Sequence, residues 1–267
     1  MLVKFFRNVL PVSDDKLRIC HFFVKFFNTF FMKIALIGYG KMGKTIENIA
    51  TQRGHEIVLR LDVNNPEDFE RLSEADVAIE FTRPESAFEN LKRCVTTKTP
   101  VICGTTGWLE NYDAIAELCK KNDSAFFYAS NYSIGVNIFF EINKRLASMM
   151  NNYPMYSVRM EEIHHTQKLD APSGTAITLA NGILEHVERK SNWVCNTEGS
   201  DEDIKITAKR IDPAPGTHIV TYDSAIDTIE ISHTAHSREG FATGAVLAAE
   251  WILGKKGVFS MKDMLGF

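Results

Sequence analysis

Between Glu161 and Ala176 the chain reads Glu-Glu-Ile-His-His-Thr-Gln-Lys-Leu-Asp-Ala-Pro-Ser-Gly-Thr-Ala, the densest stretch of reactive side chains in the sequence. Histidine titrates near neutral pH and can give up a proton, so His164 and His165 are candidate acids. Lys168 brings a full positive charge close by, and Asp170 a negative one. Ahead of the run, Tyr156, Val158 and Met160 alternate with polar residues, as in a half-buried strand. Behind it, Ile177, Leu179, Ala180, Ile183, Leu184 and Val187 recur at helical spacing. The reactive residues therefore occupy a strand-to-helix connection. Pro172, Ser173, Gly174 and Thr175 are expected in the first helical turn, where Pro is tolerated and amides lack intrahelical partners. Such amides, with the positive end of the helix dipole, form a nest for a carboxylate. These features describe an acid-assisted site for a small anionic substrate.

Adjacent residues of a strand point to opposite faces, so only one histidine should aim into a cleft unless the strand is ending there. No His-Glu-x-x-His pattern and no paired-cysteine spacing accompanies them, and no metal is expected. The run as a whole closely resembles the signature of the dihydrodipicolinate reductase family, lysine-pathway enzymes that act on 4-hydroxy-tetrahydrodipicolinate. The resemblance implies that His164 is the general acid. It also implies that Lys168 holds the substrate, a small ring bearing two carboxylates, and stabilises charge developing on its nitrogen side. His165, Gly174, Thr175 and Thr105 would grip carboxylates, Asp170 would brace the loop, and Arg238 would add electrostatic help.

The elements that must position these residues begin at Met32. Lys33 to Ile37 is a short apolar run followed at once by Gly38-Tyr39-Gly40-Lys41-Met42-Gly43, a G-x-G-x-x-G pattern. Its glycines allow a tight turn, close approach of a pyrophosphate and close helix packing. Ile46, Ile49 and Ala50 then recur at helical spacing, and Gly54 stops the helix. A strand over Glu56 to Leu61 ends at Asp62, nineteen residues after Gly43, near the spacing expected for a carboxylate on the adenine ribose. Strand-like runs at Asp76 to Phe81, Pro100 to Cys103 and Ala125 to Ala129 alternate with helical ones. This alternation specifies a Rossmann-type, doubly wound parallel sheet, whose ligands bind beyond the carboxyl ends of the strands.

Phe81-Thr82-Arg83, Gly104-Thr105-Thr106 and Ala129 to Tyr132 all fall at such ends. The reductase family carries similar Phe-Thr-Arg-Pro, Gly-Thr-Thr-Gly and Asn-Phe-Ser-x-Gly-Val-Asn runs. That likeness implies cofactor contacts for Phe81, Thr82, Arg83, Ala129, Asn131 and Tyr132, and contacts with cofactor and substrate around Gly104 and Thr106. Two departures bear on the cofactor. Lys41 stands where many members have arginine, and Val63 follows Asp62 where some have an arginine for the 2′-phosphate. Asp62 favours NADH, while Lys41, Lys44 and Arg60 offset its repulsion of NADPH, so use of both NADH and NADPH is expected.

The second half is expected to be α+β. Ile134 to Met150 reads as a helix, with Asn131 to Gly135 a hinge before it. Ser191 to Asp203 is polar and aperiodic, and reads as loop. Ile204, Ile206 and Ala208 alternate, as do Ile229 and Ile231, around Ile219-Val220 and Tyr222. Strands without intervening helices mean an open antiparallel or mixed sheet, with a face left for self-association. The resemblance implies a homotetramer, and a C-terminal helix through Val246, Ala249, Trp251 and Leu253 that returns to the cofactor domain. The expected divisions are an extension (1–31), a dinucleotide-binding domain (32–131), a substrate-binding and oligomerisation domain (132–240) and the return (241–267).

At 267 residues the chain can form two modest domains, and a net charge of −4 gives no reason to expect a nucleic-acid or membrane partner. Five scattered cysteines read as reduced thiols of a cytoplasmic protein. Residues 1–31 hold eight of the eighteen phenylalanines, interrupted by basic residues. They lack the apolar length of a membrane span and the core of a secretory signal. An amphipathic surface helix and an over-extended start before Met32 are the two readings, with the second favoured. Two other functions stay open at this stage: a different two-domain dehydrogenase, and a catalytically silent dinucleotide sensor. A semialdehyde dehydrogenase would need a nucleophilic cysteine, and Cys103 falls within a strand.

Overall fold

A computed structural model describes residues 31–62, 65–237 and 239–267; the expectations for the segment up to residue 30, for Val63 and for Arg238 lie outside these residues. Short apolar runs form the first sheet. Strand β1 (Lys33–Ile37) is followed by helix α1 (Lys41–Gln52), β2 (Glu56–Leu61), a 3-10 helix (Pro66–Glu74), β3 (Val77–Glu80), α2 (Pro84–Thr96), β4 (Val101–Cys103), α3 (Tyr112–Lys121) and β5 (Ala125–Tyr128). Strands covered on both faces read as continuous apolar runs, and β3 and β4 are buried at every position. One core lies on the α1 side, built on Ile34, Leu36, Ile46, Ile79 and Phe127. The other lies on the side of α2 and α3, built on Leu61, Leu91, Val101, Trp108 and Phe126.

Helix α4 (Ile134–Met150) follows the predicted span, with Ser133 Oγ accepting from the Val136 amide at its start. Next come β6 (Ser157–His164), α5 (Gly174–Leu184), β7 (Asn192–Cys195), β8 (Asp203–Arg210), β9 (Gly216–Asp223) and β10 (Thr228–Ala235). Their sheet runs in the order β10-β9-β6-β8-β7 and is mixed: β6 pairs parallel with β8 and antiparallel with β9. Val158, Met160, Leu179, Ile183, Ile204, Ile206, Val220 and Tyr222 form a third core between this sheet and α4 and α5.

Two expectations need correction. Helix α5 begins at Gly174, with Ser173 as its cap and Pro172 outside it. The stretch expected to be loop from Ser191 to Asp203 contains β7, which pairs parallel with β8. β7 has four residues, three of them half-buried, at the sheet edge, too short and too exposed to show a period.

Helix α6 (Glu239–Ile252), β11 (Gly257–Phe259) and α7 (Met261–Leu265) complete the chain. β11 extends the first sheet, giving the order β11-β5-β4-β3-β1-β2 with every pairing parallel. Small residues along α6 (Ala242, Ala245, Ala248 and Ala249) are fully buried in the first core. At Gly244 a Cβ would lie 1.7 Å from the Tyr132 carbonyl oxygen, so the helix docks there only as glycine. Glu250 accepts from Arg53 at 2.7 Å and meets His55 Nε2 at 2.8 Å, fixing α6 beside the end of α1. Among the described residues no helix is long and apolar enough to cross a membrane.

Candidate active site

The glycine loop joins β1 to α1 in a shape only its sequence permits. Gly38 has φ +96°, and a Cβ there would lie 2.0 Å from the Phe81 carbonyl oxygen. A Cβ at Gly43 would lie 2.3 Å from the Gly38 oxygen, so α1 packs against its own loop. At Gly40 nothing lies within 4 Å, leaving an open cradle at the start of the helix. The residues present thus fit a dinucleotide pyrophosphate. Beside it runs a groove of about 570 Å³, whose walls include Gly38, Gly40, Asp62, Phe81, Thr82 and Arg83. Lys41 is exposed at the head of α1, and Met42 packs half-buried against the first core. Arg60 is exposed, and its guanidinium donates to Glu47, which also accepts from Tyr39.

The loops behind the groove are held by side chains that face inward. Gly104 lets the Phe81 ring lie on it, since a Cβ would come within 2.2 Å of that ring. Thr105, expected to meet substrate, is buried, and its hydroxyl accepts from the Thr82 amide at 2.8 Å. Tyr132 is buried with its hydroxyl donating to the Cys103 carbonyl at 2.8 Å, and Ala129 sits in the same core. Glu80 is fully buried at the end of β3, accepting from Thr82 and from Cys103 Sγ, and burial holds its carboxyl above the usual carboxylate range.

The second cavity, of about 870 Å³, lies between the two halves. Thr106 and Asn131 reach it from the first sheet. His164, His165, Lys168, Gly174 and Thr175 reach it from the second. Both histidines can face one cavity because β6 ends at His164, which is buried, while His165 stands just beyond and is half-buried. Lys168 Nζ donates to both oxygens of Asp170, at 2.8 and 2.9 Å, and that ammonium holds the Asp170 carboxyl below its usual range. Ser173 Oγ takes the Ala176 amide at 3.2 Å, leaving the Gly174 and Thr175 amides as first-turn donors at the cavity wall.

Sequence reasoning missed the groups behind His164. β6 buries Val158, Met160, Glu162 and His164 on one face, so a carboxylate lies where the pattern calls for an apolar side chain. Register places Glu162 opposite His218 on β9 and His164 opposite Arg210 on β8. Glu162 Oε1 accepts from Arg210 at 3.1 Å, and Oε2 accepts from the Ser173 amide at 3.1 Å. Oε2 also lies 3.5 Å from His164 Nδ1 and 3.7 Å from His218 Nε2. Burial alone would raise the Glu162 pKa, but His218, Ser173 and Arg210 outweigh it and hold the carboxyl at about 2. His164 is pushed down to about 4, mainly by burial; Glu162 opposes this, while His218, Lys168 and Arg210 add to it. Glu162, His164 and His218 bring ligand-type atoms within 4.8 Å of one another. A cation there would face Arg210, already bound to Glu162, and Lys168, an arrangement that disfavours a metal. The register of three strands, invisible in one sequence, assembles this cluster.

A ligand in the larger cavity would meet Thr106 and Asn131, at the strand ends of the sheet that carries the glycine loop, on one side, and the His164 imidazole, Lys168 and the first turn of α5 on the other. That division of labour is that of an NAD(P)H-dependent oxidoreductase. Comparison with known proteins narrows the class. The family models described as dihydrodipicolinate reductase, N-terminus and C-terminus, match residues 32–132 and 135–265. The 4-hydroxy-tetrahydrodipicolinate reductase of Christiangramia forsetii is 55% identical over 238 residues, 88% of this chain and 98% of that protein. That of Methanosarcina acetivorans is 36% identical over 241 residues, 87% of this chain and 89% of that protein. The chain belongs to the dihydrodipicolinate reductase family. A dipicolinate-bound dihydrodipicolinate reductase from Paenisporosarcina sp. TG-14 shares the fold, with a TM-score of 0.72 at 23% identity over 88% of this chain and 99% of that one.

Proposed function

We propose that the chain reduces 4-hydroxy-tetrahydrodipicolinate to tetrahydrodipicolinate in lysine and diaminopimelate biosynthesis, with His164 as proton donor and Lys168 as the cation that holds the substrate. The observation that carries this reading is the shared cavity, which gathers His164, Lys168 and the first turn of α5 opposite Thr106 and Asn131. The names of the two relatives support it. The nicotinamide, when bound, supplies the hydride. Gly38, Gly40 and Gly43 shape the cradle for its pyrophosphate, Asp62 takes the adenine ribose, and Phe81, Thr82 and Arg83 line the approach.

Substrate carboxylates compete with Asp170 for the Lys168 ammonium, and the Gly174 and Thr175 amides and His165 take what remains of their charge. That added negative charge favours the protonated imidazole of His164, which then gives its proton to the ring. With the Thr105 hydroxyl engaged by Thr82, polar contact from this loop falls to Thr106. Both NADH and NADPH serve, Lys41 offsetting Asp62. Free, buried Cys94, Cys103 and Cys119 support a cytoplasmic setting. Exposed Ile226, in the turn before β10, and Ile229, on β10 at the sheet edge, support self-association, proposed as a homotetramer.

Steady-state oxidation of NADH and of NADPH, with and without the ring substrate, tests the reading. Oxidation should depend on that substrate. A rate indifferent to it, or one elicited by an amino acid or a semialdehyde instead, would point to another dehydrogenase.

A further inference from the structure

We infer that Glu162 is a positioning residue for His164: its carboxylate draws the Nδ1 edge of the imidazole inward and so presents Nε2, bearing the transferable proton, to the cavity. The inference rests on the reading of His164 as the acid. Neither Glu162 nor Arg210 lines the cavity, so both act from behind the ring. Glu162 is wholly buried two residues before His164 on the same face of β6. His164 Nδ1 is itself buried and has no hydrogen-bond partner, yet Glu162 Oε2 is 3.5 Å away. Catalytic hydrogen bonds in unliganded sites are often long and tighten with the ligand. On the far edge of the ring, a Cβ at residue 216 would lie 3.1 Å from Nε2, so Gly216 keeps that edge open to the cavity it lines. The partner of one imidazole nitrogen sets which state the other presents.

The charges facing His164 come from four segments: Glu162 on β6, His218 on β9, Arg210 at the end of β8, and Lys168 in the connection. Glu162 favours the imidazolium; the other three oppose it. In the transfer, the Nε2–H bond breaks, its electron pair stays on Nε2, and the proton bonds to the substrate. Nδ1–H remains directed at Glu162, and solvent restores the Nε2 proton. A purely structural Glu162, bracing the start of α5 through the Ser173 amide, would leave no such electrostatic signature.

The test follows the His164 imidazole by NMR in the full chain saturated with dipicolinate, beside the pH profile of kcat. A general acid supports activity below its pKa and loses it as pH rises through that pKa. An opposite charge a few ångströms away shifts a pKa by about 1–3 units. Glu162→Gln should lower the pH at which His164 titrates by about that amount and move the alkaline fall of kcat down with it. Arg210→Gln, which spares Glu162, should move both upward, and carries the test if the first variant fails to fold. Glu162→Asp, which keeps the charge, should restore most of the shift. If both charge variants alter only the melting temperature or the height of the profile, Glu162 is a brace and the inference fails. If His164 titration shifts in opposite directions while the kcat profile stays put, Glu162 positions His164 as inferred, and it is the acid role of His164 that falls.

Discussion

Asp62 faces the groove beside the glycine loop from the end of β2, where a carboxylate would accept hydrogen bonds from an unmodified ribose and repel a 2′-phosphate. Arg60, near enough in sequence to relieve that repulsion, already pairs with Glu47, which weakens its share, and Lys41 stands exposed at the head of α1. One exposed lysine against one carboxylate is worth about 1 kcal/mol, less than tenfold in affinity. The kcat/KM values for NADH and NADPH should therefore agree within roughly tenfold. Asp62→Ala should shift their ratio towards NADPH and Lys41→Ala towards NADH; a preference of about a hundredfold for either would contradict this balance. At this scale the contiguous motifs were legible, because Gly38 to Gly40 and His164 to Thr175 each bring residues to a cavity wall from one short run. Glu162, Arg210 and His218 were not, because strand register alone brings them together. Thr105 was assigned to substrate by its motif, whereas its hydroxyl is held by Thr82 and its neighbour Thr106 faces the cavity.

Among the elements, α6 ties the C-terminal return to the first sheet, and its closest approach is Gly244 on the Tyr132 carbonyl. Backbone cannot yield as the end of a flexible side chain can. Gly244→Ala should force α6 away from the loop after β5 and cost about 1–3 kcal/mol, the usual range for overpacking. Denaturant midpoints measure this, and an unchanged midpoint would show that the contact is relieved elsewhere. The spans of β1, β2 and α4 were readable because unbroken apolar runs or helical periods filled them. β7 was not, since four residues at a sheet edge bury too little to impose a pattern on the sequence. The Ser173 boundary of α5 shows the same limit: Pro172 suits a first turn, but the serine cap sets where the helix starts.

Over the whole molecule, the groups that assemble the cavity also make the fold sensitive to acid. Folded His164 titrates at about 4 rather than 6.5, so the unfolded chain takes up its proton first as pH falls. Stability from this group is complete above about 6.5 and is lost as pH falls towards 4, a loss of the order of 3 kcal/mol. Glu162, held at about 2 rather than 4.5, extends the loss further as pH falls from 4.5 to 2. Chemical denaturation should find the protein about 2 kcal/mol less stable at about pH 5 than at about pH 7, and a flat profile between them would contradict the buried, neutral imidazole. The two halves converge on that imidazole, which in the proposed function delivers the proton that accompanies reduction. The most direct measurement is kcat and KM of His164→Gln and His165→Gln with saturating reduced cofactor and the ring substrate. His164→Gln should lower kcat by about two to four orders of magnitude with little change in KM, while His165→Gln should mainly raise KM. A nearly silent His164→Gln beside a crippled His165→Gln would contradict that role of His164.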